Sequence, residues 1–383
     1  MLGCNLHQTY TQTDMRKQVK KSTKNRIVET VPFQMGKNCK YGKKEVVDTA
    51  LFSVTKGVFI EYGSKRLRNG GHEMPSADDV FYHLNKLDEF EVYGAFCAVN
   101  NRVLEEAKNA GAFDLPVWAA IDKHKIPWFG KSRDKHALGM ERVRGTNWAH
   151  GYGSIECVKP ANKFTLAAAP LTQYTTKKTM ITNLVKDGER FANIEGIFAD
   201  REFYNVESIA AIEGLGKHYI IPVRRNSKID QIVREAHRTA EKIPNSYSHA
   251  FITDYTMRSG KVSVSFKLVA VLEPPDDPKE PLHEFVFATN LDVNIDNVMK
   301  IAESYRSRWG IETGYRVKEC VRGKTCSRKY HVRLLLQLLS VLLYNLWTLC
   351  NMLICIKTGG GRKRPPLILD EFKDAISDEI YTS

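Results

Sequence analysis

Residues Leu115–Asp122 read LPVWAAID and residues Ile194–Asp200 read IEGIFAD. Each is a short apolar run of the length that suits a buried strand, and each stops on an aspartate. One such run alone would be ordinary, because aspartate commonly caps the turn after a strand. What surrounds the two makes them informative. Between them lie a basic loop, two further strand-like runs at Gly153–Lys159 and Phe164–Leu171, and a helical segment from Thr175 to about Ala192. Beyond Asp200 come a helix over Asn205–Gly214 and the apolar run HYIIPV, His218–Val223.

Read in order, the region is β-β-β-α-β-α-β. Three strands joined by close connections, followed by two reached through helical crossovers, predict an α/β fold with a mixed five-stranded sheet flanked by helices. This is the strand order of the ribonuclease H fold. In that order the first and fourth strands are neighbours, so Asp122 and Asp200 are expected to meet at one edge of the sheet.

A third acidic residue lies in SYRSRWGIETGYRVKE, Ser304–Glu319. If one helix runs from Asn297 to about Glu319, its period places Tyr305, Arg308, Glu312 and Arg316 within an arc of roughly 80°. The same spacing also suits an ordinary surface helix with ion pairs one turn apart. The two aspartates upstream favour a site instead. Three converging carboxylates repel one another unless a cation neutralises them, and oxygen donors select Mg²⁺ or Mn²⁺. Two such ions about 4 Å apart suit phosphoryl transfer, with Tyr305 and Arg308 binding phosphates beside them.

The charge distribution points to the same kind of partner. The 383-residue chain carries 57 Lys and Arg against 44 Asp and Glu. The surplus is concentrated: residues 1–44 hold 10 basic and 2 acidic side chains, residues 123–144 hold 7 and 2, and residues 306–333 hold 9 and 2. Clustered Lys and Arg of this kind suit the phosphate backbone of a nucleic acid.

Three stretches then carry a resemblance to a known family. AAIDKHKIPWFGK (119–131), GIFADREFYNVESI (196–209) and YRSRWGIETGYRVKE (305–319) resemble the two aspartate blocks and the Tyr-Arg-Glu-Lys signature of DDE transposases. The likeness is to those of bacterial and archaeal insertion sequences, in the insertion-sequence-four superfamily. FATNL, Phe287–Leu291, is similar to the strand that precedes the signature helix. The resemblance implies metal-dependent cut-and-paste transposition on a ribonuclease H-like core. Asp122, Asp200 and Glu312 would then be the catalytic metal ligands for Mg²⁺ or Mn²⁺, and Tyr305, Arg308, Arg316 and Lys318 the DNA contacts. It also implies transposon-end and target DNA as partners, a homodimer in the synaptic complex, and a β-rich insertion before Glu312. One position departs from the family. Its lysine falls seven residues after the glutamate, where this chain has Glu319; Arg316 lies on the required face, and Lys318 points about 100° away.

The expected organisation is a basic flexible arm over 1–44 and a helical DNA-binding module over 45–110. The catalytic core takes 111–224 and 297–357, with a β-rich insertion over 225–296 and a tail over 358–383 after the hinge GGGRKRPP. Ser76, ahead of ADDVFYHLNKL, is a natural helix cap. The uncharged segment Leu334–Ile356 is long enough to span a bilayer. Gln337, Ser340, Asn345, Thr348 and Asn351 form one polar stripe along it, which fits a helix buried between protein layers, so no membrane partner is expected. Eight cysteines without a C-x-x-C pair suit a reducing compartment, and MLGCNLHQTY shows no basic-then-apolar leader, so residence in the cytoplasm with the nucleoid is expected. GTNWAHGYGS lacks the Lys-Ser or Lys-Thr of a phosphate loop, and His124, His136 and His150 match no common zinc spacing. Two other readings remain at this stage: a metal-dependent nuclease without strand transfer, and a domesticated, non-catalytic DNA-binding protein.

Overall fold

The computed structural model describes residues 13–19, 27, 28, 31, 33–130, 135–158, 163–240, 248–275, 277, 282–306, 308–359 and 365–382, apart from the side chains of 309–313 and 382. Four helices come first: α1 (Lys43–Thr55), α2 (Ile60–Asn69), α3 (Ala77–Leu84) and α4 (Glu89–Asn109). Their starts follow local chemistry. The Ser76 side chain accepts from the Asp79 amide, and Asp88 forms a capping box with Glu91.

The first half of the sheet consists of β1 (Val117–Pro127), β2 (Ala137–Val143), β3 (Thr146–Cys157) and β4 (Thr165–Leu171). Helix α5 (Lys177–Glu189) leads to β5 (Ile194–Ala199), and α6 (Val206–Gly214) leads to β6 (His218–Pro222). The order β4-β3-β1-β5-β6, with β1, β5 and β6 parallel, is the expected ribonuclease H-like core. One detail differs from the sequence reading. A loop was expected directly after Asp122, yet β1 continues to Pro127 because its second half pairs antiparallel with β3, from Asp122 opposite Ser154 to Pro127 opposite Ala149. Strand β2 takes up part of the expected loop and closes a hairpin with β3 at Gly145, whose φ of 95° is open to glycine without strain.

The β-rich insertion is not a separate body. After α7 (Ser227–Ala240), the strands β7 (His249–Ser259), β8 (Val262–Glu273) and β9 (His283–Thr289) extend the core sheet, β9 pairing with β6 through Ile221 opposite Ala288. The five-stranded core is thus part of one nine-stranded sheet among the described residues, ordered β2-β3-β1-β5-β6-β9-β8-β7 with β4 also on β3. Helix α7 was not foreseen inside the insertion. Its buried Ile229, Val233, Ala236 and Ala240 are spaced by four, three and four, the period of a helix laid on a sheet.

The single helix expected over 297–319 is broken into α8 (Val298–Arg306) and α9 (Trp309–Cys320). Helix α10 (Tyr330–Thr358) is 29 residues long and apolar enough to cross a membrane, but most of it is buried inside the protein. Its polar stripe serves the packing. The Asn345 side chain accepts from the Thr165 amide (2.8 Å) and donates to the Thr165 carbonyl (2.9 Å) and to Asn100 (2.7 Å), tying α10 to β4 and α4.

The expected tail ends in a further helix, α11 (Leu369–Thr382), held on α1 by Lys56–Asp374 (2.8 Å) and Thr55–Ser377 (3.2 Å). Half of the expected basic arm lies outside the described residues. The part within them includes buried Val19, Ile27 and Val31, so these points are anchored in the core that joins the helices to the sheet.

Candidate active site

The parallel ladder between β1 and β5 ends at Ile121 opposite Ala199. The next residues are Asp122 and Asp200, so two carboxylates stand side by side where β5 runs out. Asp122 accepts the Lys123 amide at 2.7 Å, and Asp200 accepts the Arg201 amide at 2.6 Å, which opens the short turn Arg201–Phe203. Burial pushes the Asp122 carboxyl above the usual carboxylate range. The Lys123 amide and the Arg308 guanidinium work against the shift, and the negative charges of Asp200 and Glu156 add to it.

Tyr305 and Arg308 flank this pair. The Tyr305 hydroxyl donates to the Ala199 carbonyl (3.3 Å), one residue before Asp200, and its ring stacks on Phe285 at 5.1 Å. Burial raises this phenol well above its ordinary range. Arg308, 9% exposed, lies over the Tyr305 ring at 5.4 Å. Tyr305, Arg308, Asp200, Arg201, Arg225 and Glu284 border a cleft of about 410 Å³. The single helix expected to carry Tyr305, Arg308, Glu312 and Arg316 is two: Tyr305 lies in α8, and Arg308 is the residue before α9, its amide bonded to the Tyr305 carbonyl at 2.9 Å.

Helix α9 lies against β1 and β3. Tyr315 shares a hydrogen bond with Ser154 (2.7 Å), the residue opposite Asp122, and stacks on His124 at 5.0 Å. Two turns beyond position 312, Glu319 accepts from His124 (3.1 Å) and pairs with Arg322 (2.8 Å). Position 312 therefore shares a helical stripe with two residues that touch β1 or β3 beside Asp122. The Glu312 side chain itself lies outside the described residues. Among the described residues no group of three His, Cys, Asp or Glu side chains forms a metal cluster.

The structure separates the remaining expected DNA contacts. Arg316 is exposed on α9. Lys318 points the other way, with a side-chain exposure of 3%, and forms an ion pair with Glu156, whose side-chain exposure is 2%. The expectation that Lys318 touches DNA is corrected: an ammonium buried against a carboxylate is not presented to a phosphate. Trp128 packs between His150 (4.8 Å) and Arg333 (4.7 Å), a core role, while the Trp309 side chain lies outside the described residues. The sequence reading missed Glu156, Ser154 and Tyr315. Glu156 had a visible signal, a charged residue inside the buried strand GSIECVK, which requires a partner.

The chain belongs to the family described as the transposase DDE domain, whose model matches residues 119–346. The match begins in β1 just before Asp122, takes in Asp200 and position 312, and ends within α10. A comparison with curated proteins gives no match. Membership makes the protein a transposase, an enzyme of DNA phosphoryl transfer, in a family that generally works with divalent metal ions.

Proposed function

We propose that this protein is a cut-and-paste transposase of the insertion-sequence-four superfamily, which cleaves DNA at transposon ends and joins the released 3′-hydroxyl to target DNA. The observation that carries the reading is the end of the β1–β5 ladder, which sets Asp122 beside Asp200 under the helix that bears Glu312.

The donor set fits a hard divalent cation. Two adjacent carboxylates, one with its proton affinity raised by burial and by its neighbours' charge, gain from a cation that relieves the repulsion. Asp122, Asp200 and Glu312 would hold Mg²⁺ or Mn²⁺ as a pair of ions, and the bound metal would activate the attacking oxygen and stabilise the leaving one. The chain's own residues orient the strand. Arg308 lies over the Tyr305 ring with its charge acting on Asp122, and Tyr305 braces the end of β5 through Ala199. Arg201 and Arg225 line the adjoining cleft, where their charge favours a phosphate. A second cleft of about 730 Å³, lined by Glu202 of the turn after Asp200 and by Lys177, Arg224, Tyr255 and Arg258, offers the strand a continuation. Arg316 takes the place of the family lysine as a phosphate contact. The helices over 45–110 bind the transposon end, and synapsis of two ends calls for a homodimer acting in the cytoplasm at the nucleoid.

The test is excision and integration in vitro with a DNA carrying the element's own ends and Mg²⁺. Cleaved and joined products support the reading. Cleavage without joined products would leave a nuclease, and neither product would point to a domesticated DNA-binding protein.

A further inference from the structure

Buried ion pairs are poor stabilisers, because the loss of hydration of both charges rivals their attraction, and an apolar pair of similar volume often does better. The pair between Glu156 on β3 and Lys318 on α9 therefore calls for a reason other than stability. Both side chains are at most 3% exposed, and the Lys318 ammonium also lies over the rings of Tyr315 (4.8 Å) and Tyr344 (5.0 Å). Its place in the fold supplies that reason. Glu156 pairs across the sheet with Ala120, and Ser154 with Asp122, so both lie on the strand beside the aspartate. Their partners on α9, Lys318 and Tyr315, lie one turn apart.

We infer that Glu156–Lys318 and Ser154–Tyr315 form a positioning latch that sets the rotation and depth of α9 on the sheet, and so holds Glu312 in reach of Asp122 and Asp200. The inference rests on the catalytic reading above. An apolar helix face tolerates sliding, whereas an ion pair and a hydrogen bond permit only a few tenths of an ångström. The approach is also close. A Cβ at Gly314 would stand 3.1 Å from the Glu156 carboxylate and 3.4 Å from the Tyr344 hydroxyl, so α9 is seated where only glycine fits without a shift. A slip of α9 by one residue would turn position 312 by about 100° away from the aspartates. Glu156 is thus a positioning residue, acting on Glu312 through Lys318 and α9.

The experiment measures Mn²⁺ binding to the full-length protein by calorimetry without DNA, alongside thermal unfolding and the Mn²⁺ concentration for half-maximal cleavage. The double variant Glu156→Leu/Lys318→Met removes both charges and keeps an apolar filling. It is expected to fold with a melting temperature at or above that of the parent, yet to bind Mn²⁺ about tenfold more weakly, as loss of an outer partner of a ligand does. Its half-maximal Mn²⁺ concentration should rise by the same factor, while metal-free DNA binding stays unchanged. Tyr315→Phe, which deletes one hydrogen bond and leaves the ion pair, should show a smaller loss in the same direction and serves as the test if the double variant does not fold. Parental Mn²⁺ affinity in whichever of these variants is folded overturns the latch. Asp122→Asn separates the two levels: if it too binds Mn²⁺ like the parent, the catalytic reading falls, and the latch with it.

Discussion

Ile121 faces Ala199 on the last rung of the parallel ladder between β1 and β5, and the next residue on each strand is an aspartate. Parallel strands in register deliver equivalent positions to the same end of a sheet, so two carboxylates 78 positions apart in the chain become neighbours without any loop having to fold over. The site's other parts are brought to this rung by Tyr305 at Ala199 and by Tyr315 at the residue opposite Asp122.

Replacing Asp122 or Asp200 by Asn should lower strand cleavage at least about a thousandfold, the effect of removing several kcal/mol of metal-borne stabilisation. Binding of transposon-end DNA, followed by gel shift, should remain within a few-fold of the parent. A variant that still cleaves at the normal rate would remove the assignment.

Arg316→Ala should weaken DNA binding across sequences alike and reduce the slope of log affinity against log salt by about 1, as loss of one phosphate contact does. Equilibrium binding measured over a salt series reads this directly. An unchanged slope would mean that Arg316 makes no such contact.

Asn345→Leu should destabilise the protein by roughly 2–4 kcal/mol, because the amide and carbonyl of Thr165 are left buried without their partner. Urea unfolding followed by circular dichroism measures it. A loss below about 0.5 kcal/mol would show that water replaces the side chain.

Glu319 gives a pH dependence whose sign follows from its surroundings. Partial burial works to raise its carboxyl, but the His124 hydrogen bond and Arg322 outweigh that, and the net shift is downward. A carboxyl lowered on folding contributes stability that is present above its unfolded value and is lost as pH falls through the folded one. Glu319→Gln should therefore lose less stability than the parent as the pH is taken from about 5 to about 3. Parallel curves of melting temperature against pH for the two proteins would contradict this.

Much of the fold was legible in local signals. Apolar runs bounded by polar residues marked β1, β5 and β6, a side-chain cap marked the helix start at Ser76, and the polar stripe on the segment after His331 announced a buried helix. The two aspartates could be paired because the element order dictates which strands are neighbours. Glu156 is legible as a charge inside a buried strand, but its partner Lys318 is 162 positions away.

What the sequence by itself determined is therefore the order of the five core strands and their two crossover helices, the position of Asp122 and Asp200 at the ends of two neighbouring strands, and a basic chain suited to DNA, since these depend on hydrophobic period, capping and charge along neighbouring residues. Tertiary structure alone decided that β1 runs past Asp122 on the support of β3, that the insertion joins the sheet through β9 and β6, and that Lys318 turns inward to Glu156. Each of these turns on a partner far away in the chain. A residue's neighbours reveal which face it favours, but a hydrogen-bonded edge or a compensating charge from a distant segment decides where a strand ends and which way a lysine points.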